Sequence, residues 1–174
     1  MTSGVLYRIR NMEHINMGHR EKAQALFREG YNCSQAVFCA FCDETGLDMD
    51  TAACLSSSFG GGIGRLREVC GAFSGAMLAF GILCGYSDIE DPQKKISHYR
   101  QIQEFAAHFK EKNGSYICRD LLKDVEITYG YVPEERTPEF YERRPCLTLI
   151  GDAAGMLDEM LAAKDTADQK EEIK

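Results

Sequence analysis

From Val69 to Tyr86 the chain carries no charged residue, and this stretch constrains the fold more than any other. A helix here is apolar on every side rather than along one stripe, and such a helix belongs at the centre of a bundle. Small residues recur along it at helical spacing, with Gly71, Gly75 and Ala79 on one line and Ala72 and Ala76 beside them. Their lack of bulk lets a second backbone approach closely. The length reaches the lower limit for a membrane span, but Ser74, the glycines and the acidic run Asp88, Glu90, Asp91 argue against stable membrane insertion. The expectation is a central apolar helix over about residues 67–85.

Punctuation on either side supplies the other helices. Asn11 to Arg28 reads as a polar helix stopped by Gly30, and Asn32 followed by Gln35 is a capping-box pattern ahead of an apolar run to Phe41. Cys33 then takes the first helical position. Asp48 or Asp50 caps a third helix through Thr51 to Ser58, which Gly60, Gly61, Gly62 and Gly64 end. Asp91 and Pro92 open a helix with apolar residues at helical period from Ile96 to Phe109, and Gly114 closes it.

Ser115 caps a short helix with Cys118 in its first turn. Tyr129 to Pro145, with Pro133 and Pro138 and many charges, reads as a long surface loop. Pro145 opens a last helix from Cys146 to about residue 163, ahead of a frayed tail over 164–174. No strand or internal repeat is evident. The fold class expected is all-α, a single-domain helical bundle of about six helices within residues 1–163.

A formal charge of -7 and the absence of a basic stripe exclude nucleic acid and an anionic membrane surface as partners. The N-terminal residues lack the apolar run of a signal peptide, which points to a cytoplasmic location. Eight cysteines in 174 residues are then the clue to follow, because a cytoplasmic setting keeps thiols reduced unless they are catalytic, redox-sensing or metal-bound.

Helix position divides the eight into two sets. Cys33, Cys70, Cys118 and Cys146 fall in or near the first turn of an expected helix, while Cys39, Cys42, Cys54 and Cys84 lie inside helices among apolar residues. Unpaired N–H groups at a helix start favour thiolate over thiol, and only the thiolate attacks disulfides or binds metals. Arg67, Arg119, Arg143 and Arg144 lie near three of the first set in sequence and would lower their pKa values further if close in space. The second set reads as packing.

Other candidates are weaker. Cys39 and Cys42 form a C-x-x-C pair, but in the second and third turns of the expected helix rather than at its start. Structural zinc sites draw ligands from close pairs, whereas the spacings within the first set are long. The glycine-rich loop fits neither phosphate-binding pattern, which leaves close chain packing as its role. His14, His19, His98 and His108 read as surface residues, and the acidic residues from Glu134 to Glu142 as a solvated face.

Laid out in this way, the chain resembles the C_GCAxxG_C_C family of redox-active proteins. The resemblance rests on Asn32-Cys33-Ser34-Gln35-Ala36-Val37, on Phe59 to Arg65, on Val69-Cys70-Gly71-Ala72-Phe73-Ser74-Gly75, on Cys118-Arg119-Asp120-Leu121-Leu122 and on Pro145-Cys146. The order here is C-G-A-x-x-G, taken as the element that the family's label writes G-C-A. The resemblance implies that Cys33, Cys70, Cys118 and Cys146 are the four defining cysteines, the same set that helix position selects. It also implies redox activity, and an iron-sulfur cluster has been proposed for some relatives.

Three functions compete. The four cysteines can do redox chemistry with an unidentified redox partner, as a dithiol and disulfide or as ligands of an iron-sulfur cluster. They can instead bind a soft metal, zinc or copper, without turnover. Alternatively the chain is a helical scaffold with buried, reduced thiols. A homodimer is a further expectation, resting on the glycine-rich loop and the long apolar helix.

Overall fold

The computed structural model describes residues 17–172, and it is all-α. Nine α-helices follow one another among the described residues: α1 (His19–Arg28), α2 (Cys33–Ala40), α3 (Cys42–Thr45), α4 (Met49–Ser56), α5 (Gly71–Cys84), α6 (Pro92–Asn113), α7 (Cys118–Leu121), α8 (Pro138–Arg143) and α9 (Cys146–Glu172). The only pairing of strand type among them is an isolated antiparallel bridge between Val69 and Ile117. No described helix is long and apolar enough to cross a membrane. The expected start at Asn11 and His14 lie outside the described residues.

The capping signals act as the sequence implies. Asn32 accepts from the Ser34 and Gln35 N–H groups while the Gln35 side chain accepts from the Asn32 N–H, which completes a capping box. Asp48 caps α4, and Asp91 with Pro92 at the first position starts α6. Gly46 and Gly114 end α3 and α6 in the left-handed conformation.

Several boundaries differ from expectation. The apolar helix α5 begins at Gly71, not near residue 67, because Arg67 is left-handed and Val69 pairs with Ile117. The expected helix through Cys42 breaks at Phe41, so Cys42 opens α3. The segment read as a loop holds α8, capped by Thr137 with Pro138 at its first position. The last helix runs to Glu172 rather than to about residue 163.

The core lies between α1, α2, α5 and α9, with α6 closing one side. α2 is the most enclosed, six of its eight residues being buried. α5 is less so: seven of its first ten residues are buried, and Ile82 near its end is 47% exposed. The small-residue line of α5 faces α2. A Cβ on Gly75 would lie 2.5 Å from the Ser34 carbonyl oxygen, and one on Gly71 would lie 2.9 Å from the Phe59 carbonyl oxygen and 3.1 Å from the Cys33 Cβ. This close crossing brings the start of α5, and so Cys70, against the start of α2, and so Cys33.

Candidate functional site

Four helix starts converge on one point. Cys33 is the first residue of α2, Cys70 the N-cap of α5, Cys118 the first residue of α7 and Cys146 the first residue of α9. Three local devices bring Cys33, Cys70 and Cys118 together. The Gly71 and Gly75 crossing joins α5 to α2. A short ladder, with the Cys70 N–H donating to the Tyr116 carbonyl at 2.9 Å and the Cys118 N–H to the Glu68 carbonyl at 2.6 Å, places Cys118 beside Cys70. Gly62, at φ +69, lets the preceding loop lie against Cys118, where a Cβ would come within 2.6 Å of the Cys118 Cβ.

All four cysteines border one small space of about 20 Å³, shared with Gly61, Gly62 and Leu149. That is room for about one water molecule. Among the described residues, no group of three or more His, Cys, Asp or Glu side chains has an arrangement that could hold a metal ion. The four thiols are the correct donor set for an iron-sulfur cluster, but in this closed arrangement they would have to spread apart to admit one.

The thiols differ sharply in acidity. Cys146 is lowered to about 7 by a hydrogen bond with Cys33, helped by the charges of Arg144 and Arg67 and opposed by burial. Its partner Cys33 is pushed well above the ordinary value by that same hydrogen bond, then by burial and by the other thiols. Cys70 rises to about 12, because burial outweighs the Phe73 and Ala72 N–H groups that favour its thiolate. Cys118 is also raised by burial, against a hydrogen bond from Arg67. A helix start and a nearby arginine therefore do not activate all four thiols: two are buried, and one holds the proton that stabilises its neighbour.

Of the four arginines singled out, Arg67 and Arg144 reach the cysteines. Arg119 pairs instead with Glu68 at 2.6 Å, and Arg143 pairs with Glu134. The glycine-rich loop presents two arginines by an unusual backbone: Ile63, Arg65 and Arg67 all have positive φ, 61°, 71° and 63°. Such conformations cost about 1–2 kcal/mol each in L-residues and gather at functional sites.

Cys33, Cys118 and Cys146 also border a larger cavity of about 420 Å³, whose wall includes Arg65, Arg67, Arg136, Arg144 and Glu134. The segment around residues 128–134 is tied over it by Arg65, which donates to the Gly130 carbonyl at 2.7 Å and the Thr128 carbonyl at 2.9 Å. Glu134 is no part of a solvated face. It accepts from Thr128 and pairs with Arg143 and Arg144, and its carboxyl is held down at about 2; burial opposes this, but the Thr128 N–H and Arg144 outweigh it.

The second set of cysteines is more varied than packing residues would be. Cys39 and Cys42 are buried and hydrogen-bonded to each other across the break at Phe41, with Cys42 lowered by Cys39 and then by Lys22, against burial. Cys84 is partly exposed at the end of α5. Cys54 is exposed on α4, which corrects its reading as a buried residue. The surface reading of the histidines is corrected at two positions: His19 stacks on Phe41 at 4.0 Å and pairs with Asp158 and Glu44, and His98 stacks on Phe80 at 5.1 Å.

No curated protein and no solved structure matches this chain. A family model does match, over residues 31–160, a span that begins just before Cys33 and ends after Cys146; the model is described as "Putative redox-active protein (C_GCAxxG_C_C)". The protein belongs to the C_GCAxxG_C_C family.

Proposed function

We propose that this chain is a thiol-disulfide redox protein in which Cys146 is the attacking thiolate and Cys33 the resolving thiol. The observation that carries this reading is the hydrogen-bonded Cys33 and Cys146 pair, one member low in pKa and the other high, open to a cavity large enough for a small molecule.

The exchange balances as follows. Cys146 Sγ attacks one sulfur of a disulfide substrate, and the first substrate thiolate leaves. Cys33 gives its proton to that departing thiolate and attacks Cys146 Sγ, which releases the second. The substrate gains two electrons and the protein holds a Cys33–Cys146 disulfide, which a reduced dithiol partner returns to thiols. A reducing, cytoplasmic setting suits that return.

Acid quenching during reaction with bis(2-hydroxyethyl) disulfide, followed by alkylation and peptide mapping, tests the assignment. Cys33→Ser traps a mixed disulfide on Cys146, and Cys146→Ser forms none. Exchange that persists in Cys146→Ser refutes the assignment. An iron-sulfur cluster is the second reading, favoured by the convergence of four cysteines at helix starts. Iron and sulfide analysis with a visible spectrum, on protein purified without oxygen, decides between the two, and zinc or copper in the same analysis reveals soft-metal carriage. Slow labelling of Cys33, Cys70, Cys118 and Cys146 in the native protein would favour the scaffold, since Cys54 is exposed under every reading.

A further inference from the structure

The cavity beside Cys146 has a charge that the cysteine chemistry does not require. Four guanidinium groups line it, those of Arg65, Arg67, Arg136 and Arg144, and Glu134 is the one carboxylate among the described residues that line it. Arg67 and Arg144 are only 5% and 7% exposed, and the buried Nε–H of each finds no acceptor in the protein. A buried guanidinium is stable when an anion or a full set of acceptors meets it.

Their acceptors are few. Arg67 donates weakly to the Thr128 carbonyl at 3.3 Å and interacts with Cys118, and Arg144 shares Glu134 with Arg143. Aromatic rings hold two of the groups by their faces: Arg136 lies 4.4 Å from the centroid of Phe27, and Arg144 lies 4.7 Å from that of Phe140. Part of each N–H edge is already used, by Arg136 on the Phe27 carbonyl at 2.6 Å and by Arg144 on Glu134, while the Arg144 Nε–H stays without an acceptor and is the group a planar oxyanion would meet. Even with Cys146 as thiolate, the wall carries more positive than negative charge.

We propose that this cavity binds the carboxylate of a small anionic substrate, with the Arg67 and Arg144 guanidinium groups holding the carboxylate and the substrate's reacting atom placed at Cys146. The identity of the reacting group rests on the thiol-exchange reading; the anion site does not. Arg65 and Arg136 extend the positive surface and attract the substrate toward the site.

Two measurements test this. Cys146 alkylation is followed with iodoacetate, an anion, and iodoacetamide, its neutral counterpart, and the ratio of the two rates is compared with that for free cysteine. The expected ratio is about tenfold above the free-cysteine value at low salt, and it falls toward that value in 0.5 M salt, where the Debye length is short, and in Arg144→Gln. A wild-type ratio equal to that of free cysteine overturns the proposal. Should Arg144→Gln fail to fold, Arg65→Gln replaces it, since its contacts lie at the exposed rim; an unchanged ratio there overturns the proposal as well.

The second measurement is calorimetric titration with adipate, a dicarboxylate that has no reactive bond, and with sulfate. Adipate binding that is lost in the arginine variant supports the proposal, and no binding of adipate refutes it. Sulfate binding without adipate binding also refutes it, as the site then takes an inorganic oxyanion. If Cys146 reacts with neither alkylating reagent, the thiol-exchange reading falls and the adipate titration alone decides the anion site.

Discussion

Replacing Cys33 by alanine removes the first cause of the low Cys146 pKa while leaving Arg67 and Arg144 in place. With a pKa of about 7, half of Cys146 is thiolate at pH 7; at the ordinary value of 9.0 the thiolate fraction is about 1%. The gain in thiolate is about fiftyfold. A weaker base is a poorer nucleophile, and a Brønsted slope of about 0.4–0.5 returns about eightfold of that across two pH units. The net advantage at pH 7 is about sixfold.

Iodoacetamide labelling from pH 5 to 10, resolved by peptide mass spectrometry, reads this directly. Wild-type Cys146 labels with a midpoint near pH 7, as an acid with a depressed pKa gains its thiolate when pH rises through the folded value. In Cys33→Ala the midpoint moves up, because burial still opposes the charge and only Arg144 and Arg67 remain to favour it, and the rate at pH 7 falls several-fold. An unchanged midpoint in Cys33→Ala refutes the claim that the pair is what sustains the thiolate.

Four further outcomes follow from the packing. Gly75→Ala places a Cβ 2.5 Å from the Ser34 carbonyl, a backbone atom that cannot turn aside, and thermal or denaturant unfolding shows a loss of about 1–3 kcal/mol. Asp152→Asn leaves Arg20 and Lys112, at 2.9 and 3.0 Å, without their buried carboxylate; both cations are partly exposed, so the loss measured by urea unfolding is about 2–3 kcal/mol rather than the larger figure for a fully buried pair. Glu134, depressed from 4.5 to about 2, contributes stability that is present above pH 4.5 and lost as pH falls toward 2, so Glu134→Gln shows a flatter acid limb in unfolding monitored by circular dichroism. Cys70, raised to about 12, contributes in the opposite sense: its stability is present below pH 9.0 and lost as pH rises from there toward 12, so Cys70→Ala is less sensitive to alkali than the wild type.

Much of this arrangement was legible because helix starts have local chemistry. Asn32 with Gln35, and Pro145, mark the starts that carry Cys33 and Cys146, and the glycine line of α5 marks a close crossing, although not which helix would cross. What could not be read depends on distance in space. Arg65 reaches Gly130 across sixty-five residues, and Arg136 lies on Phe27 from more than a hundred away, so no local pattern announced the arginine-lined cavity. The order of thiol acidities was hidden for the same reason: helix position argues for four thiolates, and only burial and the contact with Cys33 single out Cys146. The α8 helix is a different failure. Thr137 and Pro138 are the same start signal as Asp91 and Pro92, masked in the sequence by nearby charges and a second proline. A helix of eight residues tells little about which side faces in, and Cys54 lies on its exposed side.

The Cys33 and Cys146 contact joins residues 113 positions apart in the chain (146 minus 33). An oxidised pair would therefore close most of the molecule into one covalent loop. In the chain-entropy picture, a loop of this length favours the folded over the unfolded state by about 4–5 kcal/mol. The same free energy, taken as a two-electron couple at roughly 30 mV per 1.4 kcal/mol, makes the disulfide harder to reduce in the folded chain than in the unfolded one by about 100 mV. On the thiol-exchange reading, melting temperature and reduction potential are then linked: the oxidised chain melts above the reduced one, and a substitution shifts the potential of the folded chain only where it stabilises one redox state more than the other.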